Sequence, residues 1–479
     1  MTQKTFTTWA LAALCSLGCG AAAFAQDSSA LIDALVAKKV LTAQEAENVR
    51  ADLVKENAQT NAGKLQLSNS ITSLKLYGDI RLRYQYDDKQ LQVEDPAIVN
   101  QRSRERIRLR LNGDFTLSGG FFGGVQLQTT QASDSGNQTL GDPATGASGF
   151  SNYNVYISRA YFGWANDWLT LVGGKQANPF YTTDLVWDSD INPDGAVEKI
   201  DLVKAFSSLG GRESELQSSS PFGLSLVAGQ FVACDNNEYA AGSDAKTDVW
   251  LFNTQLIGTA QVTPNVKVTV APGYMTYTAG NTADFNNETA FVTTKTSNGV
   301  TTTYLKSGAS GYSSQRDLSV VTLPGDVSFK VCGIKTKFLW DFAYNTQGSK
   351  RVNDVYGLTG LGTVSGHKSQ DDIAWLAGVQ LGENKKAGDW SVLANFRQTG
   401  LGAVDPNLND SDFAFGQLNM QGVKTGVAYN LTDFCIASLT YFNAWNLRSD
   451  LVGGQATGGE KIASLNSTQT VQVDLSLKF

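Results

Sequence analysis

From residue 70 to the last residue, the chain repeatedly alternates apolar and polar side chains with a period of two. Leu74, Leu76, Gly78, Ile80, Leu82, Tyr84 and Tyr86 interleave with Lys75, Tyr77, Asp79, Arg81, Arg83 and Gln85. Successive side chains on a strand point to opposite faces, so such a run has one apolar face and one charged face. The C-terminus repeats it, with Val471, Val473, Leu475, Leu477 and Phe479 alternating with Gln472, Asp474, Ser476 and Lys478. This period excludes an amphipathic helix. Strands of about ten residues with this pattern are long enough to cross a bilayer at a tilt.

Alternating runs predict 16 strands, centred on 74–86, 104–116, 121–131, 152–164, 167–175, 206–218, 222–233, 248–261, 266–279, 315–330, 334–346, 372–382, 389–401, 413–429, 434–447 and 468–479. Long connections rich in Gly, Asn, Asp, Ser and Thr (87–103, 132–151, 176–205, 234–247, 280–314, 347–371, 402–412, 448–467) alternate with short turns such as 117–120 and 262–265. An even strand count with short turns on one side and long loops on the other describes an outer-membrane barrel. The expected fold is all-β: a 16-stranded antiparallel transmembrane β-barrel over 70–479, preceded by a short helical segment. No fixed repeat indicates a solenoid, and a sandwich does not explain the loop asymmetry. Charges facing lipid at mid-bilayer cost roughly 2 to 4 kcal/mol, so Leu, Ile, Val and Phe are expected to face outward and Arg and Gln the lumen. Trp164, Trp168, Trp250, Trp340, Trp375, Trp390 and Trp445 fall near strand ends or on apolar faces, where interfacial girdles place them.

Ahead of the barrel, Lys4, an apolar run from Trp9 to Ala23 and the small-residue end Ala23-Phe24-Ala25 read as a secretory signal peptide, residues 1–25. Residues 26–60 then read as a periplasmic helical segment. Thr42 with Glu45 forms a capping box that opens its second helix. Cys234, Cys332 and Cys435 lie about 100 residues apart, are odd in number and are expected to stay unpaired. A single His, His367, and 17% charged residues leave little material for a catalytic triad or a multi-His metal site. The chain is therefore expected not to be an enzyme and to use no cofactor or metal. A net charge of -7 gives no basic excess for nucleic acid.

Two stretches carry the expected chemistry. Arg104, Arg106, Arg108 and Arg110 alternate with Glu105, Ile107 and Leu109, which stacks the guanidinium groups in one lumenal column. Arg81 and Arg83 on the first strand extend it, and same-face neighbours lie about 7 Å apart, so the column needs water and counter-charge. Asp79 and Asp114 sit on the same faces, and about half of these arginines are expected to be held by lumenal carboxylates. A nucleic-acid patch is the rival reading; alternation with apolar residues favours a pore lining. The loop 176–205 joins the apolar anchors Leu185, Val186 and Trp187 to Asp184, Asp188, Asp190, Asp194 and Glu198. Folded into the barrel, it would pack its anchors on the wall and present carboxylates to the arginine column. That pairing makes a transverse field across a constriction. Asp188, Asp190, Asn192 and Asp194 mimic the start of a calcium loop, but Pro193 and Lys199 stand where an EF-hand requires Gly and Glu.

These residues resemble the general-porin superfamily. Ile157-Ser158-Arg159-Ala160-Tyr161-Phe162-Gly163 and Leu169-Thr170-Leu171-Val172-Gly173-Gly174-Lys175-Gln176 are similar to the strands that precede the inward-folding third loop. The loop from Asp184 to Gly195 resembles that of the putative porins of Gram-negative bacteria. Val40 to Glu47 is similar to the N-terminal helix of phosphate-selective porins. The terminal Leu475-Ser476-Leu477-Lys478-Phe479 resembles the aromatic strand read by the barrel-assembly machinery. The resemblance implies a homotrimer in the outer membrane, passing small hydrophilic solutes and ions passively through a water-filled channel, with Arg159 and Lys175 joining the pore lining. Phosphate-selective relatives bring basic residues to the constriction, whereas this loop is acidic. An anion- or phosphate-selective porin, or a plugged barrel serving as an adhesin or structural protein, is the alternative.

Overall fold

The structure, a computed structural model, describes residues 32, 35–38, 40–60, 67–91, 100–130, 135–141, 152–209, 221–235, 248–278, 292–297, 300–305, 317–354, 366–451 and 465–479. The signal-peptide reading falls outside these residues. The chain divides into two units, 1–69 and 70–479.

In the first unit, helix α1 spans Ala43–Thr60. Its capping box is formed: the Glu45 amide donates to Thr42 Oγ1 at 3.3 Å, and the Thr42 amide donates to Glu45 Oε2 at 2.8 Å. These bonds satisfy amides that the first helical turn leaves without partners.

The second unit is a closed antiparallel barrel of 16 strands. In chain order they are β1 (Ile71–Leu91), β2 (Gln101–Leu117), β3 (Phe121–Thr129), β4 (Val155–Ala165), β5 (Leu169–Lys175), β6 (Asp194–Asp201), β7 (Phe222–Cys234) and β8 (Val249–Thr263). There follow β9 (Val266–Val270 and Gly273–Tyr277), β10 (Ser319–Thr322 and Gly325–Val331), β11 (Ile334–Asn345), β12 (Ile373–Gly382), β13 (Trp390–Thr399), β14 (Met420–Asn430), β15 (Cys435–Asn446) and β16 (Leu465–Lys478). Pro272 and Pro324 interrupt β9 and β10, because proline has no N–H to give the ladder. Closure comes from β1 pairing with β16, in register from Asp79 opposite Lys478 to Leu91 opposite Leu465. Phe479 finishes the seam by exchanging backbone hydrogen bonds with Gly78. A Cβ on Gly78 would lie 2.8 Å from the Phe479 ring and 2.4 Å from the Arg110 carbonyl, so the seam requires glycine there.

Faces follow the alternation on β1, β2 and β16. Leu76, Ile80, Leu82, Leu111, Val473 and Leu475 are exposed on the outside. Two predicted strands are displaced. The sixth is Asp194–Asp201, not 206–218: helix α2 (Leu202–Leu209) occupies the start of that stretch, and 210–218 lies outside the described residues. Asp201 starts α2 by accepting the Lys204 amide at 3.1 Å. The infolded loop therefore ends at residue 193 rather than 205. The fourteenth strand begins at Met420, not at 413, because Ala414, Phe415 and Asn419 adopt positive φ and turn the chain inward.

A third difference concerns the inner wall. Val197, Val227, Phe231, Leu251, Met275 and Leu376 point into the barrel and are buried. They form one cluster with Leu185, Val186 and Trp187 of the infolded loop. The Trp187 and Phe231 rings meet edge to face at 6.2 Å. Covered by the loop, this part of the wall has no need of polar side chains.

Candidate channel constriction

The arginine ladder is assembled by strand register. Arg81 stands opposite Arg108, Arg83 opposite Arg106, and Gln85 opposite Arg104. Like charges directly opposite destabilise a sheet, so each level carries its own counter-charge. Asp79 accepts from Arg108 Nη2 at 2.8 Å and from Arg110 Nε at 2.6 Å. Asp474, brought from β16 by barrel closure, accepts from Arg83 at 2.7 and 2.9 Å. Arg104 lies 3.3 Å from Asp87. Arg106 donates to Gln85 Oε1 at 3.1 Å and to the Asn137 carbonyl at 3.3 Å. Asn137 Oδ1 accepts from Arg81 at 2.7 Å; the loop after β3 therefore also touches the ladder. Asp114 holds tyrosines instead of arginines, accepting from Tyr77 at 2.8 Å and Tyr161 at 3.2 Å.

Opposite the ladder, two loops fold in. Residues 176–193 bring Asp184, Asp188 and Asp190; residues 400–419, after β13, bring Asp410 and Asp412. The loops are sewn together. Asp188 Oδ2 accepts from the Ser411 amide and hydroxyl, each at 3.1 Å. The Asp188 amide donates to the Leu408 carbonyl at 2.6 Å, and the Asp410 amide to the Asp184 carbonyl at 3.3 Å. Arg397 on β13, fully buried, lies 3.1 Å from Asp410, and Lys424 on β14 lies 2.5 Å from Asp184.

Between ladder and loops lies a cavity of about 400 Å³, lined by Arg81, Arg108, Arg110, Asp184, Asp188, Asp190, Asp410, Asp412 and Lys424 among others. Asp190 Oδ1 comes within 3.9 Å of Arg108 and 3.8 Å of Arg110, and Asp412 Oδ2 within 3.3 Å of Arg83, so both infolded loops reach the ladder. Burial and the neighbouring Asp410 push the Asp188 carboxyl up to about 6, despite amides from Asp190 and Ser411 that favour its ionised form. Lys424, with Arg397 behind it, pulls Asp184 down to about 2, against the effect of burial. Such a site brings carboxylate and guanidinium or ammonium groups together around one cavity. His367 Nε2 lies 2.7 Å from Asp372 in the loop after β11. Among the described residues no group of three or more His, Cys, Asp or Glu is arranged to hold a metal ion.

Of the residues expected at the pore, Arg81, Arg83, Arg104, Arg106, Arg108, Arg110, Asp184, Asp188 and Asp190 come together on the lumenal side. Arg159 also points inward, donating to Asn192 Oδ1 at 2.8 Å. Lys175, Asp194 and Glu198 do not line the constriction. Register puts Lys175 opposite both Ala160 and Asp194, and Glu198 opposite Leu171, on the outer face shared with the exposed Phe162. Lys175 and Asp194 pair there at 2.7 Å, and Glu198 accepts from Gln230 at 2.8 Å. Because β6 starts at Asp194, every second residue after it is turned away from the lumen. Asp410, Asp412, Arg397, Lys424 and Asp474 were not anticipated as site residues. Asp474 was legible as a polar-face residue of the last strand, and closure of that strand on β1 brings it to the ladder.

A closed barrel with an apolar exterior, a charged interior and infolded loops is a transmembrane diffusion channel. The profile of the family described as "Putative porin" matches residues 89–338 and 326–479, and the chain belongs to that family. It is an outer-membrane channel for passive diffusion; family and fold are those of channels rather than enzymes, and they point to the Gram-negative outer membrane. Among solved structures the chain is similar to Salmonella typhi OmpF in complex with daunomycin, at 9% identity and TM-score 0.43 over 87% of this chain and 100% of that one. It is also similar to an anion-selective porin from Comamonas acidovorans, at 12% identity and TM-score 0.40 over 85% of this chain and 99% of that one. A Rhodopseudomonas blastica porin triple mutant matches at 10% identity and TM-score 0.40, over 85% and 100%. No curated protein matches the chain.

Proposed function

We propose that the ladder of Arg81, Arg83, Arg108 and Arg110 and the carboxylates Asp184, Asp188, Asp190, Asp410 and Asp412 form the selectivity constriction of this porin. Small hydrophilic solutes and ions cross it in a transverse field. The observation that carries the reading is the approach of Asp190 to Arg108 and Arg110 at 3.8 to 3.9 Å, on a loop whose apolar anchors are buried in the wall. Arg104, Arg106 and Arg159 line the lumen beyond the narrowest point. The functional unit is a homotrimer; residues 1–25 are a cleaved signal peptide; 26–60 are a periplasmic helical segment; and the strand ending in Phe479 is read by the barrel-assembly machinery. Single-channel recording in a planar bilayer under a KCl gradient tests the reading. Discrete steps with a nonzero reversal potential that moves on charge reversal at Arg108 are expected. A folded, inserted barrel that gives no steps refutes it.

A further inference from the structure

The short-turn end of the lumen carries a second charged site, on the wall of β9, β10 and β11. Lys267, Lys330, Lys335 and Lys337 line one cavity of about 540 Å³ there, and Lys385 joins them from the turn after β12. Register brings them close: Lys330 stands directly opposite Lys335, while Lys267 and Lys337 both stand opposite Ser328. Like-charged cross-strand pairs cost a sheet stability, and here the counter-charge is short. Glu383 is shared between Lys335 at 3.3 Å and Lys385 at 2.9 Å. Asp326 lies 3.4 Å from Lys337 and is already engaged, accepting from Ser328 at 2.8 Å and from the Tyr181 hydroxyl of the infolded loop. Among the described residues, Lys267 and Lys330 have no carboxylate partner.

The ladder contrasts with this arrangement. There Asp79, Asp87 and Asp474 answer the arginines level by level, whereas here five ammonium groups share two carboxylates around an open, water-accessible space. Lysine is a compact point charge with three rotatable donors, suited to clustered anionic oxygens that present no fixed plane. We propose that this cavity binds small solutes carrying a phosphate or polyphosphate group as they pass the periplasmic mouth. The site lies apart from the constriction, so mixed charge at the narrowest point coexists with an anion-holding station beyond it. The inference rests on the barrel being an open channel only for its transport consequence; the binding itself does not.

The probe is pyrophosphate, and two measurements separate the claims. Titration calorimetry on the detergent-solubilised protein is expected to show saturable binding. Lys330→Gln/Lys335→Gln is expected to weaken it about tenfold or more, the loss of two unit charges at contact distance. Lys330→Arg/Lys335→Arg is expected to retain it, and both variants keep the barrel's heat-modifiable gel shift. In bilayers, pyrophosphate added on each side in turn should interrupt the current at lower concentration from the short-turn side, and the Gln variant should lose this asymmetry. Absence of binding to the wild type, or equal binding to the Gln variant, overturns the inference even where the channel conducts normally. Binding to a protein that gives no current steps would uphold the site and refute the open channel.

Discussion

Replacing Asp190 by Asn tests the constriction most directly. Around the narrowing, the six cationic groups of Arg81, Arg83, Arg108, Arg110, Arg397 and Lys424 face the seven carboxylates of Asp79, Asp184, Asp188, Asp190, Asp410, Asp412 and Asp474. With the balance so close to neutral, one charge is a large fraction of what a permeating ion feels. Asp190 faces Arg110 at 3.8 Å, and each is 24% exposed. A unit charge met at about 4 Å in water is worth about 1 kcal/mol, or about fivefold in a partition ratio. The cation-to-anion permeability ratio should therefore fall about fivefold in Asp190→Asn at low ionic strength. At molar salt, where the screening length is about 3 Å, the difference should shrink toward nothing. The assay is the reversal potential across a KCl gradient, repeated on Asp194→Asn and Glu198→Gln. Both controls remove a carboxylate close by in sequence but on the outer face, and both should leave the ratio unchanged. An unchanged ratio in Asp190→Asn at low salt would refute the constriction. An equal shift in either control would refute the face assignment of β6.

Acidification should act through Asp188. Its carboxyl titrates near 6 in the fold and near 4 when unfolded, so its ionised form opposes folding above pH 6, and that penalty is gone once pH falls to about 4. Selectivity should move toward anions between pH 7 and 5, with a midpoint near 6, and Asp188→Asn should show no such step in its reversal potential. Trp187→Ala empties a buried site among Phe231 and its neighbours at a cost of about 3 to 5 kcal/mol; the loop should lose protection in hydrogen exchange and the single-channel conductance should rise. Asp474→Asn strips Arg83, itself 5% exposed, of its bidentate partner and leaves it Asp412 at 3.3 Å. That should cost about 3 to 5 kcal/mol in denaturant unfolding, with Asp474→Glu recovering part of it. Thr42→Ala should shorten or fray α1 by removing the cap, worth about 1 kcal/mol, as read by circular dichroism of the N-terminal segment.

Legibility of the strands tracked what each face touches. On β1, β2 and β16 one face meets lipid and the other water, so alternation was complete and the strands, the ladder and its Asp79 partner could all be read. On β6 each face mixes apolar and charged residues: Val197 points inward onto the buried loop beside Lys199, and Asp194 and Glu198 point outward beside Ala196 and Ile200, so the period-two signal disappears. The same covering explains why Leu185, Val186 and Trp187 were readable: three large apolar residues in an otherwise polar loop must find a wall. The 400–419 loop concealed itself differently. Phe413, Ala414 and Phe415 look like the start of a strand, and Gly416 is the one glycine among the left-handed residues Ala414, Phe415, Gly416 and Asn419. Its carboxylates were consequently missed, although they supply two of the acids that face the ladder.

That second loop changes what sort of filter this is. Arg83, Arg108 and Arg397 are each 8% exposed or less and are held by Asp474, Asp79 and Asp410 respectively. Such pairs cannot reorient toward a passing ion without leaving a buried charge alone, a cost of several kcal/mol. They act as a fixed frame that positions the ladder and anchors the loop tips. Asp190 and Arg110, each a quarter exposed and still 3.8 Å apart, remain within reach of solvent. On the proposed reading a lumen dense with charge should behave toward ions like one with few, its selectivity following the handful of groups the frame leaves in contact with water.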